Sequence, residues 1–268
     1  LTGYTRQDND FQFRQGVHDT GSKQIFGAEG TFDGDDLANL CLARRACSEF
    51  VAFKLYKHFV ADVEEPGGLS DGQKGVVDGL AREIRKHSYD LRPALRTLFA
   101  SEHFYDQTVV GQKIKSPVEL VVGLQRVFDP PKRSPRRIAA ALRLMGQVLF
   151  QPPNVAGWPG GRAWINTSTL YVRQNTATYI IAAGGGGRRR FGRDEQHADP
   201  MKLIATLDKP TPEAVVERVA LVLLGAAGTK TRREQLRQFL SSHGDRITHQ
   251  TMIALVCLTT ATPEFQLC

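Results

Sequence analysis

From Leu37 onward the apolar residues of this chain recur at three- and four-residue spacing. Leu37, Leu40, Cys41, Cys47, Phe50, Val51, Leu55 and Phe59 trace one helix face. Asp33 or Asp35 can cap its start, and Pro66-Gly67-Gly68 ends the segment. Val76, Val77, Leu80 and Ile84 define the next helix. Leu91, Leu95, Leu98 and Phe99 define a third after Asp90, with Pro93 in its first turn, where a missing N–H costs least. Residues 1–34 read differently. They are polar and Gly-rich, with Phe11 and Phe13 alternating, which predicts an irregular segment with a short strand pair.

Further helix starts are written in capping residues. Ser116-Pro117-Val118-Glu119 is a capping box with proline at the first helical position. Ser134-Pro135, Asp199-Pro200 and Thr211-Pro212 repeat the cap-then-proline device, and Thr231 with Glu234 predicts another box. Gly225 and Gly244 suit left-handed helix ends. Apolar sets support each helix, such as Leu120, Val121, Leu124 and Phe128, or Val215, Val219, Val222 and Leu223. The last helix should run from about Ile247 to Thr260. The expectation is an all-α fold: a compact multi-helix domain of eight to ten helices over 35–268, preceded by the irregular segment 1–34. Leu98–Phe104 and Leu258–Phe265 echo each other, a shared way of stopping a helix and tucking a Phe beneath it.

Composition narrows the class. The chain has 268 residues, 41% hydrophobic and 24% charged, which excludes a mainly disordered chain, a collagen-like repeat and a disulfide miniprotein. Val219–Leu224 and Met252–Leu258, the longest apolar stretches, fall far short of the roughly 20 residues that cross a bilayer, so no membrane insertion is expected. The chain starts at Leu1 without a signal-peptide pattern, as a mature form or a fragment would.

The net charge of +7 raises the prospect of polyanion binding. Arg188, Arg189, Arg190 and Arg193 adjoin Gly184–Gly187, the composition of an exposed loop, and only Phe191 interleaves there as a stacking platform. Cys41, Cys47, Cys257 and Cys268 form no CxxC. On one continuous helix Cys41 and Cys47 would lie about 9 Å apart, beyond a disulfide, so free thiols are expected. No HExxH, GxGxxG or phosphate-loop pattern occurs, and neither Ser101 nor Ser168 sits in a GxSxG context. A metal site is therefore not expected, and no cofactor is assigned.

Two stretches hold candidate chemistry. Gln151–Asn166 carries both tryptophans between two helices and is long for a helix connection. It is either a rigid loop pinned into the core by Trp or a groove where aromatic faces and amides meet a polar ligand. Asn154, Trp158, Arg162, Trp164 and Asn166 are its candidate ligand-binding residues. His18, Asp19 and Lys23 are the catalytic candidates, since an imidazole, a carboxylate and an ammonium can make an acid–base site. The alternative is that Asp19 forms a turn and His18 satisfies local backbone.

Lys115-Ser116-Pro117-Val118-Glu119-Leu120, Met145-Gly146-Gln147 and Pro152-Pro153-Asn154-Val155-Ala156-Gly157-Trp158-Pro159-Gly160-Gly161 together resemble the bacterial DUF1800 family, a domain of unknown function. Leu1-Thr2-Gly3-Tyr4, His18-Asp19-Thr20-Gly21-Ser22-Lys23, Phe53-Lys54-Leu55-Tyr56 and Pro263-Glu264-Phe265 extend the resemblance over nearly the whole chain. It implies a mainly helical and commonly exported bacterial protein, whose genes often neighbour those of an exported, sulfatase-like family. It also implies an upstream helical part with a Trp-His-Asn-His-Phe segment, so this chain resembles the C-terminal portion of the module. Two functions stay open. One is an exported interaction or scaffold protein working with an envelope partner. The other is an enzyme or binding protein acting on a polar or anionic polymer through the Trp158/Trp164 loop and the His18/Asp19 cluster.

Overall fold

The computed structural model describes residues 2–130, 133–182, 198–225 and 228–268. The Gly184–Gly187 and Arg188–Arg193 run lies outside the described residues. Two compact units emerge, one of residues 1–56 and 69–101, the other of 57–68 and 102–268.

In the first unit the N-terminal segment forms two separate antiparallel hairpins. β1 (Tyr4–Gln7) pairs with β2 (Asp10–Phe13), Tyr4 opposite Phe13. Asp8 and Asn9 link them with φ of 49° and 74°, the left-handed pair that matches strand twist in a two-residue hairpin loop. β3 (Lys23–Ile25) and β4 (Ala28–Gly30) are joined the same way through Phe26 and Gly27. The Tyr4 hydroxyl accepts the Gly34 N–H, and a Cβ at Gly34 would collide with that hydroxyl.

The helix expected across 37–59 is two helices, α1 (Gly34–Ala43) and α2 (Arg45–Phe59), with Arg44 between them in extended geometry. The break falls in the gap of the apolar stripe between Cys41 and Cys47. There the Leu42 carbonyl leaves the helical ladder and accepts the Tyr89 hydroxyl at 2.7 Å. Asp33 caps α1 in a reciprocal box with Asp36. α3 (Asp71–Lys86) begins on a Ser70–Gln73 box, and α4 (Leu91–Phe99) on Asp90.

The second unit holds α5 (Pro117–Phe128), α6 (Pro135–Leu144), α7 (Thr167–Ala182), α8 (Pro212–Leu224), α9 (Lys230–Ser242) and α10 (His249–Thr260). α7 packs against α5, α6 and α10, and α8 against α9 and α10. Leu120, Leu124, Ile180, Val219, Leu240 and Leu255 fill the space between them. The Ser116–Glu119 box caps α5 as expected, and Thr211 caps α8. Ser134 makes no capping bond. The cap of α9 is Thr229, whose hydroxyl accepts the Arg232 N–H, so Thr231 lies inside the helix instead of heading a box with Glu234. α10 starts two residues later than Ile247, on a Thr248–Thr251 box that satisfies its first donors. Ten α-helices among the described residues and two small hairpins make the protein mostly helical. Both echoed segments, 98–104 and 258–265, end in 3-10 turns, Glu102–Tyr105 and Pro263–Gln266. Among the described residues no helix is long and apolar enough to cross a membrane.

Candidate functional site

His18, Asp19 and Lys23 gather in one turn of the first unit, and backbone is what they bind. Asp19 Oδ1 accepts the Gly21 N–H at 2.8 Å, closing an Asx turn. Lys23 Nζ donates to the carbonyls of Asp19 and Gly21. His18 Nδ1 donates to the Thr2 carbonyl at 2.8 Å, and its ring meets Phe13 edge-on at 5.2 Å. The Gly21 N–H, followed by the Lys23 ammonium, holds the Asp19 carboxyl below the usual carboxylate range. Asp19 is thus an anion at neutral pH, suited to holding a turn and unsuited to carrying a proton.

The long loop of the second unit divides between anchoring and exposure. Trp164 is 5% exposed and ends a 3-10 turn over Gly161–Trp164. The Thr169 hydroxyl donates to the Trp164 carbonyl at 2.9 Å and accepts the Asn166 N–H at 2.8 Å, while Asn166 Oδ1 accepts the Thr169 N–H. Asn166 therefore caps α7. Asn154 Oδ1 accepts the Ala156 N–H at 2.8 Å, another Asx turn. Trp158 is half-buried and Arg162 exposed. Phe150 and Val155 project outward, Phe150 at 96% exposure with a left-handed φ of 60°.

A third cluster, in the second unit, escaped sequence reasoning because it comes from five separate segments. Asp62 Oδ2 accepts the Ile114 N–H at 2.6 Å. The loop covers this carboxylate: Gly161 approaches until a Cβ there would lie 3.2 Å from Asp62 Cβ, and Lys57 Nζ reaches the Pro159 carbonyl at 3.4 Å. Ile114 also bridges to Leu267, and the Lys115 N–H donates to the Gln266 carbonyl at 2.8 Å. Arg173, 1% exposed, donates through Nε to Gln266 Oε1 at 2.6 Å and through Nη2 to the Lys115 carbonyl at 2.8 Å. Its Nη1 is buried without a hydrogen-bond partner.

Electrostatics in this cluster are uneven. Burial pushes the Asp62 carboxyl up, against the pull of the Ile114 N–H and the Lys113 and Lys57 ammoniums. Burial also acts to raise Glu119, but the Ser116 N–H at 2.7 Å and Lys113 outweigh it and hold that carboxyl low. Burial brings the Arg173 guanidinium down to about 10 and depresses the Lys115 ammonium. Two neighbouring carboxyls pushed in opposite directions can divide the roles of proton donor and acceptor. One signal for the cluster was present in the sequence: Arg173 occupies the buried stripe of α7 with Thr169, Thr176, Ala177 and Ile180. Among the described residues no group of three or more His, Cys, Asp or Glu side chains could hold a metal ion.

These features define a mostly helical protein whose distinctive motifs meet around Asp62 and the Lys113–Glu119 segment. The chain belongs to the DUF1800 family of proteins of unknown function, whose family model matches residues 1–267. No curated protein matches the chain, and no solved structure matches it.

Proposed function

We propose that this chain is an exported interaction protein that works with a partner at the cell envelope. The observation that carries this reading is the outward set of large apolar side chains on one stretch of the second unit. Leu144, Phe150, Val155 and Tyr171 are all strongly exposed. Phe150 does this from a left-handed backbone, a conformation that costs free energy for a bulky residue and gains nothing from packing within the chain. Exposed apolar groups concentrated on one stretch suit a protein contact. The polar candidates fit the same reading, since Asn154, Asn166, Asp19 and Lys23 are engaged in turns and caps.

The partner suggested by the family's gene company is an exported sulfatase-like protein encoded nearby. The test is sedimentation of the purified pair, with the parent chain and with a Phe150→Ser, Val155→Ser variant. A complex that the double substitution weakens at least tenfold, with Tm unchanged, supports the reading. No complex, or one indifferent to the substitutions, overturns it.

A second reading has its own observation, the oppositely shifted carboxyls of Asp62, which lies beneath the Gly161 bend, and its electrostatic neighbour Glu119. An enzyme acting on a polar polymer would use this pair for acid–base work, in place of His18 and Asp19. Asp62→Asn and Glu119→Gln separate the readings: partner binding survives both substitutions, whereas turnover would not.

A further inference from the structure

Residues of α5 and α8 and the 3-10 turn at Pro263–Gln266 line a cavity of about 200 Å³. That is the space of about six or seven water molecules. Leu120, Leu124, Val127, Val222, Leu223 and Phe265 make its walls apolar, and Lys115 and Glu119 supply its only charges. Gly123 sits in the wall, in the middle of α5. Glycine is the poorest helix former short of proline, so its presence there calls for a reason. Close packing is not that reason, because a Cβ on Gly123 would meet nothing within 4 Å. The glycine leaves room.

The charges are unequal in their demands. Glu119 is matched already, by the Ser116 N–H at 2.7 Å and Lys113 Nζ at 3.7 Å. Lys115 is held by neutral groups. Its Nζ donates to the Phe265 carbonyl at 2.7 Å and lies 4.2 Å from the centre of the Phe265 ring, which leaves ammonium donors to spare. Arg173, against the Lys115 carbonyl, adds a second buried cation. Neither cation is within ion-pair distance of a carboxylate among the described residues, and the Glu119 carboxylate acts on both from farther off. An apolar chamber whose ammonium keeps spare donors, and whose own carboxylate is held by Lys113 and the Ser116 N–H, suits an anionic head on an apolar body.

We propose that this cavity binds an aliphatic carboxylate, its head on the Lys115 ammonium and its short chain against Leu120, Leu124, Val127, Val222 and Leu223. This site is independent of the interaction reading, which rests on other residues of the second unit.

The test is calorimetric titration of the full chain with butanoate, pentanoate and hexanoate, then with hexylammonium and hexanol. Affinity should rise about fourfold per added methylene, the increment of apolar burial, until the chamber is full. Hexylammonium should not bind. Gly123→Leu fills the chamber with no backbone to displace, and should abolish hexanoate binding while Tm holds or rises. Gly123→Ala, a milder filler, should shorten the longest chain accepted. Lys115→Gln should remove the preference for hexanoate over hexanol. The proposal is overturned if hexanoate fails to bind, if affinity is flat with chain length, if hexylammonium binds more tightly, or if hexanoate binding is unchanged in the Gly123 variants.

Discussion

The turn at His18–Lys23 and the cluster around Lys115 and Arg173 both gather charged groups, and they do so under opposite conditions. In the turn, partners lie within a few residues or at Thr2 near the N-terminus, and water reaches much of every side chain. In the cluster, partners are drawn from residues up to 150 positions apart and the guanidinium is sealed from solvent. Charges adjacent in sequence are a poor guide to chemistry, because adjacency makes local backbone the nearest partner. Charges assembled across the fold carry a desolvation cost, and that cost is what shifts their protonation.

Packing and buried charge carry the largest effects. Trp164→Ala should cost about 3–5 kcal/mol, as for a fully buried aromatic, whereas Trp158→Ala should cost less than half of that. Denaturant titration of both variants decides whether only one tryptophan anchors the loop. Arg173→Met strands Gln266 Oε1 and the Lys115 carbonyl in the interior, and should cost about 2–4 kcal/mol. His18→Ala and Lys23→Ala should each cost under about 1 kcal/mol. Equal losses in Arg173→Met and Lys23→Ala would erase the distinction between the two clusters.

A smaller effect is a slope with pH. Asp62 binds its proton more readily in the fold than in the unfolded chain, because burial raises its carboxyl. Its contribution is therefore most favourable below the unfolded value and declines as pH rises through the raised folded one. Asp62→Asn keeps an acceptor for the Ile114 N–H and removes that decline. The variant's Tm should gain on the parent's as pH rises from 4 toward neutrality, by a modest amount since Asp62 is only half-buried. The smallest effect expected is in thiol labelling. Burial lifts Cys257 to about 11, so it should react with a maleimide well after the exposed Cys268.

The helical architecture was legible because caps and apolar periodicity are local signals. Ser116, Asp90 and Thr211 each mark a helix start at the residue where the side chain binds the first turn. The break at Arg44 was not legible, since the Leu42 carbonyl beside it finds its partner in the Tyr89 hydroxyl, 47 residues away. The true cap of α9 was missed for a subtler reason. Thr229 and Thr231 are chemically identical, and backbone geometry alone chooses between them. The hairpins were half-visible: Asp8-Asn9 is a usable left-handed pair, whereas Phe26 is a costly residue at such a position. For the candidate site, the Lys-Ser-Pro-Val-Glu motif showed its role as a cap. Its second role, bringing Lys115 to Arg173 and Phe265, depends on contacts that no window of sequence contains.

The lacing of Lys113–Lys115 to Phe265–Cys268 also sets a timetable for biosynthesis. At roughly 5–20 residues per second, the first strand of this lacing waits roughly 8–30 s for the second to be made. Until residue 266 emerges, Arg173 has no Gln266 to bind and the second unit cannot close around it. A nascent chain whose second unit is still unclosed leaves the apolar stripes of α5, α7 and α8 exposed to solvent. It also stays exposed to holdase chaperones, which bind unclosed chains.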